Sequence, residues 1–247
     1  MSLTRLGIPR LWGDDPARLW AGMRYVVQPV TLWLAPAAAY GAERIPVDGG
    51  VVLAANHFSG IDHPLIGTFS PRPVRYLAKA ELLEIPVLGG ALMWTGLIPI
   101  KRGGGDRDAL RRAREAVRAG DVVGVHIEGT RQRLGYPGPV HTGGLMIAMQ
   151  ERAAVVPCGL DTFRWSPANR RLCALVFGEP IDLADLPRNR SGYAQAARRV
   201  GDELVRLWRL AAEAAAAGLP PELPDGTKRN APIDGRGERW VQRRVSH

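Results

Sequence analysis

The chain has 247 residues, 46% of them apolar, and a formal charge of +9 at pH 7. That size allows one substantial core with an appendage, and the basic excess calls for an anionic partner: nucleic acid, a phosphorylated substrate or an anionic membrane surface. Aromatic residues are only 6%, with tryptophan the commonest, which argues against the stacking array of a single-strand nucleic-acid binder.

The N-terminal apolar stretches are broken by Arg5, Arg10, Arg18 and Arg24 with no cleavage site after them, so no signal peptide is expected. A helix can start at Asp14 or Asp15 with Pro16 in its first turn. The run from Tyr25 to Tyr40 is apolar but holds Pro29 and Pro36, and it falls short of the roughly 20 residues a spanning helix needs. It is expected as a helical hairpin or kinked helix, either in the membrane interface or packed on the core. Val51 to Ala55 reads as a short buried strand entering the corner Asn56-His57-Phe58-Ser59-Gly60-Ile61-Asp62. A carboxylate five positions after an imidazole, across a Gly-containing turn, can fold back to accept the Nδ1 proton and leave Nε2 as a general base. The same spacing also suits Asp62 as a helix cap beside a buried histidine.

Further on, Arg75 to Lys79 is expected as a strand, 82–94 as an apolar segment, and Gly96 to Arg102 as a strand delivering Lys101 and Arg102 to a glycine run able to hold an anion. Asp106 to Ala119 is an amphipathic helix with an arginine face, and Val122 to Ile127 a strand leading to a second polar corner, Glu128-Gly129-Thr130-Arg131. A helix over 143–152, strands over 154–160 and 172–178, and a helix over 192–217 complete an alternation that predicts one α/β domain, with a mixed, mostly parallel sheet flanked by helices. The expected division is an N-terminal apolar, membrane-associating helical segment (1–45), the α/β domain (46–218), and a loose basic tail (219–247). Cys158 and Cys173 read as small buried residues of a reduced compartment, and the histidines are not spaced as a metal set, so no metal is expected.

Asn56-His57, four residues, then Asp62, followed by Glu128-Gly129-Thr130-Arg131, resembles the glycerolipid acyltransferases of the 1-acyl-glycerol-3-phosphate (lysophosphatidate) kind. The region between agrees: Lys79-Ala80-Glu81-Leu82, Ile85-Pro86, and Gly96 to Arg102 resemble the family's second block, and Val155-Val156-Pro157 its fourth. The resemblance implies acyl transfer from acyl-CoA or acyl carrier protein to the hydroxyl of a lysophospholipid, with no bound cofactor, on the cytoplasmic face of the membrane. It implies His57 as the base with Asp62 orienting it, and Arg102, Glu128, Gly129 and Arg131 at the acceptor's phosphate. Asn56, Lys79, Lys101 and Thr130 form a second tier. No serine or cysteine sits in a nucleophile elbow, so the hydroxyl attacks the thioester directly. The chain departs from the family in carrying His126-Ile127 before Glu128 where Phe-Pro is usual, Gln132 after Arg131, and Val140-His141-Thr142-Gly143 where lysines are common. An acceptor with another head group, a silent lipid-binding module of the same fold, and a hydrolase are the competing readings; a nucleic-acid partner is not expected.

Overall fold

Eight strands form one sheet in the computed structural model of the chain, which describes residues 25, 27–84, 96–100 and 106–231. In chain order they are β1 (Ala37–Tyr40), β2 (Val51–Ala55), β3 (Val74–Lys79), β4 (Ile98–Ile100), β5 (Val122–His126), β6 (Ala154–Asp161), β7 (Cys173–Phe177) and β8 (Arg229–Asn230). They lie side by side as β4-β3-β5-β2-β6-β7-β1-β8. The first five in that order run parallel. β7 turns back against β6, β1 runs parallel to β7, and β8 pairs antiparallel with β1. The helices are α1 (Asp62–Phe69), α2 (Arg107–Arg118), α3 (Gly143–Glu151) and α4 (Arg190–Ala216). The chain thus forms the expected α/β domain with a mixed, mostly parallel sheet.

A central parallel strand is covered on both faces, so it needs no polar residue, and every position of β2 is buried. Side chains alternate across it. Val51, Leu53 and Ala55 join Leu65, Ile66 and Phe69 of α1 on one face. Val52 and Ala54 join Ala109 and Ala113 of α2, Leu145 and Ala148 of α3, and Val200 and Leu204 of α4 on the other. Asp106 starts α2 where the sequence placed it, its carboxylate accepting from the Ala109 amide at 3.0 Å.

Two expectations are corrected. The helical reading of 25–40 holds for 27–34, but Ala37–Tyr40 is a strand paired with β7. Pro36 ends the helix, and the alanines beyond it are small enough to lie flat in the sheet with Tyr40 buried below. The tail is not loose from 219: Tyr40 donates to the Pro220 carbonyl at 2.8 Å, and the Asn230 amide accepts from Ala42 N and donates to Glu43, both at 2.9 Å. Sheet pairing therefore reaches beyond both ends of 46–218. No helix of the described residues is long and apolar enough to cross a membrane. The helix expected near residue 14, most of the apolar segment 82–94, Lys101, Arg102, and the basic stretch around Trp240 lie outside the described residues.

Candidate active site

β2 and β5 pair in register, Ala55 beside His126, so both polar corners emerge at the same carboxyl end of the sheet. Asn56 fastens the first corner. Its side-chain amide donates to the Leu160 carbonyl at 2.9 Å and accepts from the Leu160 amide at 2.7 Å, tying the exit of β2 to β6. His57 follows, buried, with Nδ1 2.7 Å from Asp62 Oδ2. Asp62 is fully buried and also accepts from the amides of Phe58 (2.8 Å) and Ser59 (3.0 Å), from the Ser59 hydroxyl (3.0 Å), and from the Thr162 hydroxyl. Burial alone would raise this carboxyl. The His57 hydrogen bond, the neighbouring imidazoles and Thr162 outweigh it and hold Asp62 at about 2. An ionised Asp62 keeps the His57 proton on Nδ1 and leaves Nε2 unprotonated. Asp62 is therefore the orienter of a base and closes the turn before it, but it does not cap the helix that follows, whose N-cap is Ile61.

Glu128 is a strut. Its Oε2 accepts from the His57 amide and its Oε1 from the Gly138 amide, each at 2.7 Å. Burial pushes its carboxyl up to about 7, with the two amides pulling the other way. Gly129 turns with φ 69°, and Thr130 and Arg131 are exposed. The Gln132 amide donates to the His57 carbonyl at 2.7 Å, which holds the second corner against the first. The Arg131 guanidinium lies against Gly60, where a β-carbon would meet its Nη2 at 3.3 Å, so this cation sits over the His57–Asp62 turn. Lys79 ends β3 at the same pole of the sheet and is exposed. β4 ends at Ile100, the last described residue before Lys101 and Arg102.

Sequence reasoning gave no role to Thr162, His63 or His126. Thr162 reaches Asp62 from the loop after β6, a contact that sequence spacing hides. His126 and His63 complete a three-imidazole cluster with His57. Ligand atoms of His57, Asp62 and His126 lie within 4.8 Å of one another, as a chelate requires. The donors fit hydrogen bonding better. Both Asp62 oxygens already accept protons, and the two rings are stacked 14° from parallel, so their in-plane lone pairs do not converge on one ion.

The fold and site define an α/β protein with a carboxylate-oriented histidine at the carboxyl ends of its central strands. A profile of the Acyltransferase family matches residues 37–161, half the chain, and the chain belongs to that family. It is 27% identical over 154 residues to a Bacillus subtilis protein named 1-acyl-sn-glycerol-3-phosphate acyltransferase, covering 59% of this chain and 74% of that one. A Borreliella burgdorferi protein of the same name is 31% identical over 136 residues, 53% of this chain and 54% of its own. A chloroplastic Brassica napus acyltransferase is 32% identical over 123 residues, 49% of this chain but only 36% of its own length. The crystal structure of the 1-acyl-sn-glycerophosphate acyltransferase PlsC from Thermotoga maritima superposes with a TM-score of 0.64 over 87% of each chain, at 23% identity. That last likeness is one of fold.

Proposed function

We propose that the chain transfers an acyl group from acyl-CoA or acyl carrier protein to the hydroxyl of a lysophospholipid, with 1-acyl-sn-glycerol-3-phosphate giving phosphatidate. The observation that carries this is the buried 2.7 Å contact between His57 Nδ1 and Asp62, inside the family-matched segment. His57 Nε2 takes the acceptor's hydroxyl proton as the oxygen attacks the thioester carbonyl. The tetrahedral adduct collapses, the C–S bond breaks, and the thiolate leaves with the proton carried by the imidazolium. Asp62 stays ionised and stabilises that cation. Arg131, beside the turn, suits the acceptor's phosphate as a planar fork, with Lys79 and Thr130 at the same pole and Arg102 and Lys101 following β4 in the sequence, whereas the Gly129 amide is already given to the His126 carbonyl at 3.0 Å. Glu128 serves by holding the loops that carry these groups.

The surface around this pole supports an anionic bilayer as partner, on the cytoplasmic face. Trp33 is 63% exposed, Leu134 74%, and Val30 and Tyr136 are exposed as well. Arg170 lies 5.1 Å over the Trp33 ring and Arg164 5.3 Å over Phe163, while Phe163 packs edge-on to Phe58, next to His57. Aromatic rings with arginines above them match the interfacial zone of a membrane.

The test is thiol release from palmitoyl-CoA with and without lysophosphatidate, for the wild type and His57→Ala. The expected result is acceptor-dependent release that drops at least about a thousandfold in the variant while its circular dichroism is unchanged. An undiminished rate in His57→Ala overturns the assignment of the base. Release that needs a different lysolipid keeps the chemistry and changes the head group. Release that needs no acceptor makes the protein a hydrolase.

A further inference from the structure

His126 ends β5 directly beside the exit of β2, and its ring lies flat on that of His57, with centroids 4.0 Å apart and planes 14° apart. Its Nδ1 is 2.8 Å from the Asn56 carbonyl oxygen. A carbonyl only accepts, so the His126 proton sits on Nδ1 and its tautomer is fixed. Its Nε2 is buried without a hydrogen-bond partner, so nothing else competes for the ring. His63 closes the cluster edge-on, 4.4 Å from His126 and 5.5 Å from His57, and is itself edge-on to Tyr76 at 4.6 Å. Burial, then the charges of the neighbouring imidazoles, keeps His126 well below the usual histidine range, and His63 is lowered to about 4 in the same way. Neither neighbour therefore carries a positive charge against the imidazolium that acid–base chemistry forms on His57.

One hydrogen bond fixes a point and an axis, not a plane. With Nδ1 held by Asp62 alone, the His57 ring can still rock about the Nδ1–Oδ2 line, and the in-plane lone pair of Nε2, inclined to that line, swings with it. We infer that His126 is a positioning residue, a flat plate anchored to the Asn56 carbonyl that fixes the plane of His57 so that Nε2 keeps its aim while Nδ1–H stays on Asp62. What Nε2 aims at, the acceptor hydroxyl, rests on the acyl-transfer reading; the confinement of the ring does not.

Two variants separate the plate from mere bulk. His126→Phe keeps a flat ring, and His126→Leu fills similar space without one. The first readout needs no substrate: the downfield proton resonance of His57 Nδ1–H and its rate of exchange with water. Exchange is expected to speed up by about tenfold or more in His126→Leu and to stay near the wild-type rate in His126→Phe. The second readout is kinetic. In His126→Leu, kcat for thiol release is expected to fall roughly tenfold with both KM values within about twofold, and in His126→Phe most of kcat returns. A protected Nδ1–H with unchanged kcat in His126→Leu overturns the proposal. So does equal loss in both variants of unchanged melting temperature, because then the Asn56 hydrogen bond and not the plate is what matters. If the wild type releases no thiol, the acyl-transfer reading falls and the exchange measurement alone decides the role of His126.

Discussion

Asp62 and Glu128 are both buried carboxyls at one strand end, yet burial wins at only one of them. Asp62 accepts from His57, from Phe58 and Ser59 main chain, and from the Ser59 and Thr162 hydroxyls, which is enough to keep it ionised to about 2. Glu128 has two amides only and is raised from 4.5 to about 7. The sign of the consequence is fixed by linkage. Between those values the unfolded chain loses the Glu128 proton while the folded chain keeps it, so this contribution is full below about 4.5 and is lost as pH rises through about 7. Wild type is expected to lose on the order of 3 kcal/mol relative to Glu128→Gln over that window. Urea unfolding of both proteins from pH 4.5 to 7.5 measures it, and a constant difference between them would count against a raised carboxyl. Of these residues, His57 and Asp62 were legible in the sequence because their contact is local, five positions apart. Glu128 was legible as important but not as a strut, since its bond to the His57 amide spans 71 positions. His126 could be seen only as a departure, a histidine where the family usually has phenylalanine. Its meaning depends on the β2–β5 register, which residue spacing does not encode.

At the scale of elements, the charge pattern of α2 was plain in the sequence, but the partners of its arginines were not. Arg111 pairs with Asp108 and Glu115 on its own helix, and Arg114 and Arg118 both reach Glu151 of α3. The arginine face is spent largely on holding two helices together, with exposed pairs of small worth each. The long helix α4 shows a different dependence. It crosses β6 so closely that a β-carbon on Gly159 would lie 2.2 Å from the Trp208 nitrogen and 2.3 Å from the Leu207 carbonyl carbon. These are backbone atoms that cannot step aside singly, so Gly159→Ala must push the helix off the sheet. It is expected to cost about 2 kcal/mol or more, seen as a lower midpoint in urea. A melting curve indistinguishable from wild type would mean that α4 docks more loosely than this geometry requires. The sequence identified both elements by their periodicity, but nothing in it told which glycine marks the crossing.

In the whole molecule, the edge of the sheet is made from both ends of the chain. Ala37–Tyr40 sits between β7 and β8, and Arg44 donates to the Phe177 carbonyl at 2.8 Å and to the Thr227 hydroxyl at 3.0 Å. A chain ending at Gly218 loses the bonds from Tyr40 to Pro220, from Arg44 to Thr227, and between Ala42 and Asn230. At about 1 kcal/mol each, the melting temperature should fall by roughly 6–12 °C. Scanning calorimetry of the shortened protein checks this, and an unchanged transition would return 219–231 to the status of a tail. The sequence missed this closure because a run of alanines next to a helix resembles more helix, and a two-residue strand has no pattern of its own.

The same edge sets an order of events during synthesis. β2, β3 and β5, with both corners of the site, come from a continuous middle stretch and can assemble as it emerges. β1 cannot, because its neighbours begin at Cys173 and end at Asn230. At translation speeds of about 5–20 residues per second, the apolar helix over 27–34 waits roughly 10–40 s for a strand to anchor it. Throughout that interval Val30 and Trp33 are tethered beside a growing domain, exposed as they remain in the finished fold. Under the proposed membrane role, this helix is therefore available to lipid from early in synthesis, before the sheet is complete.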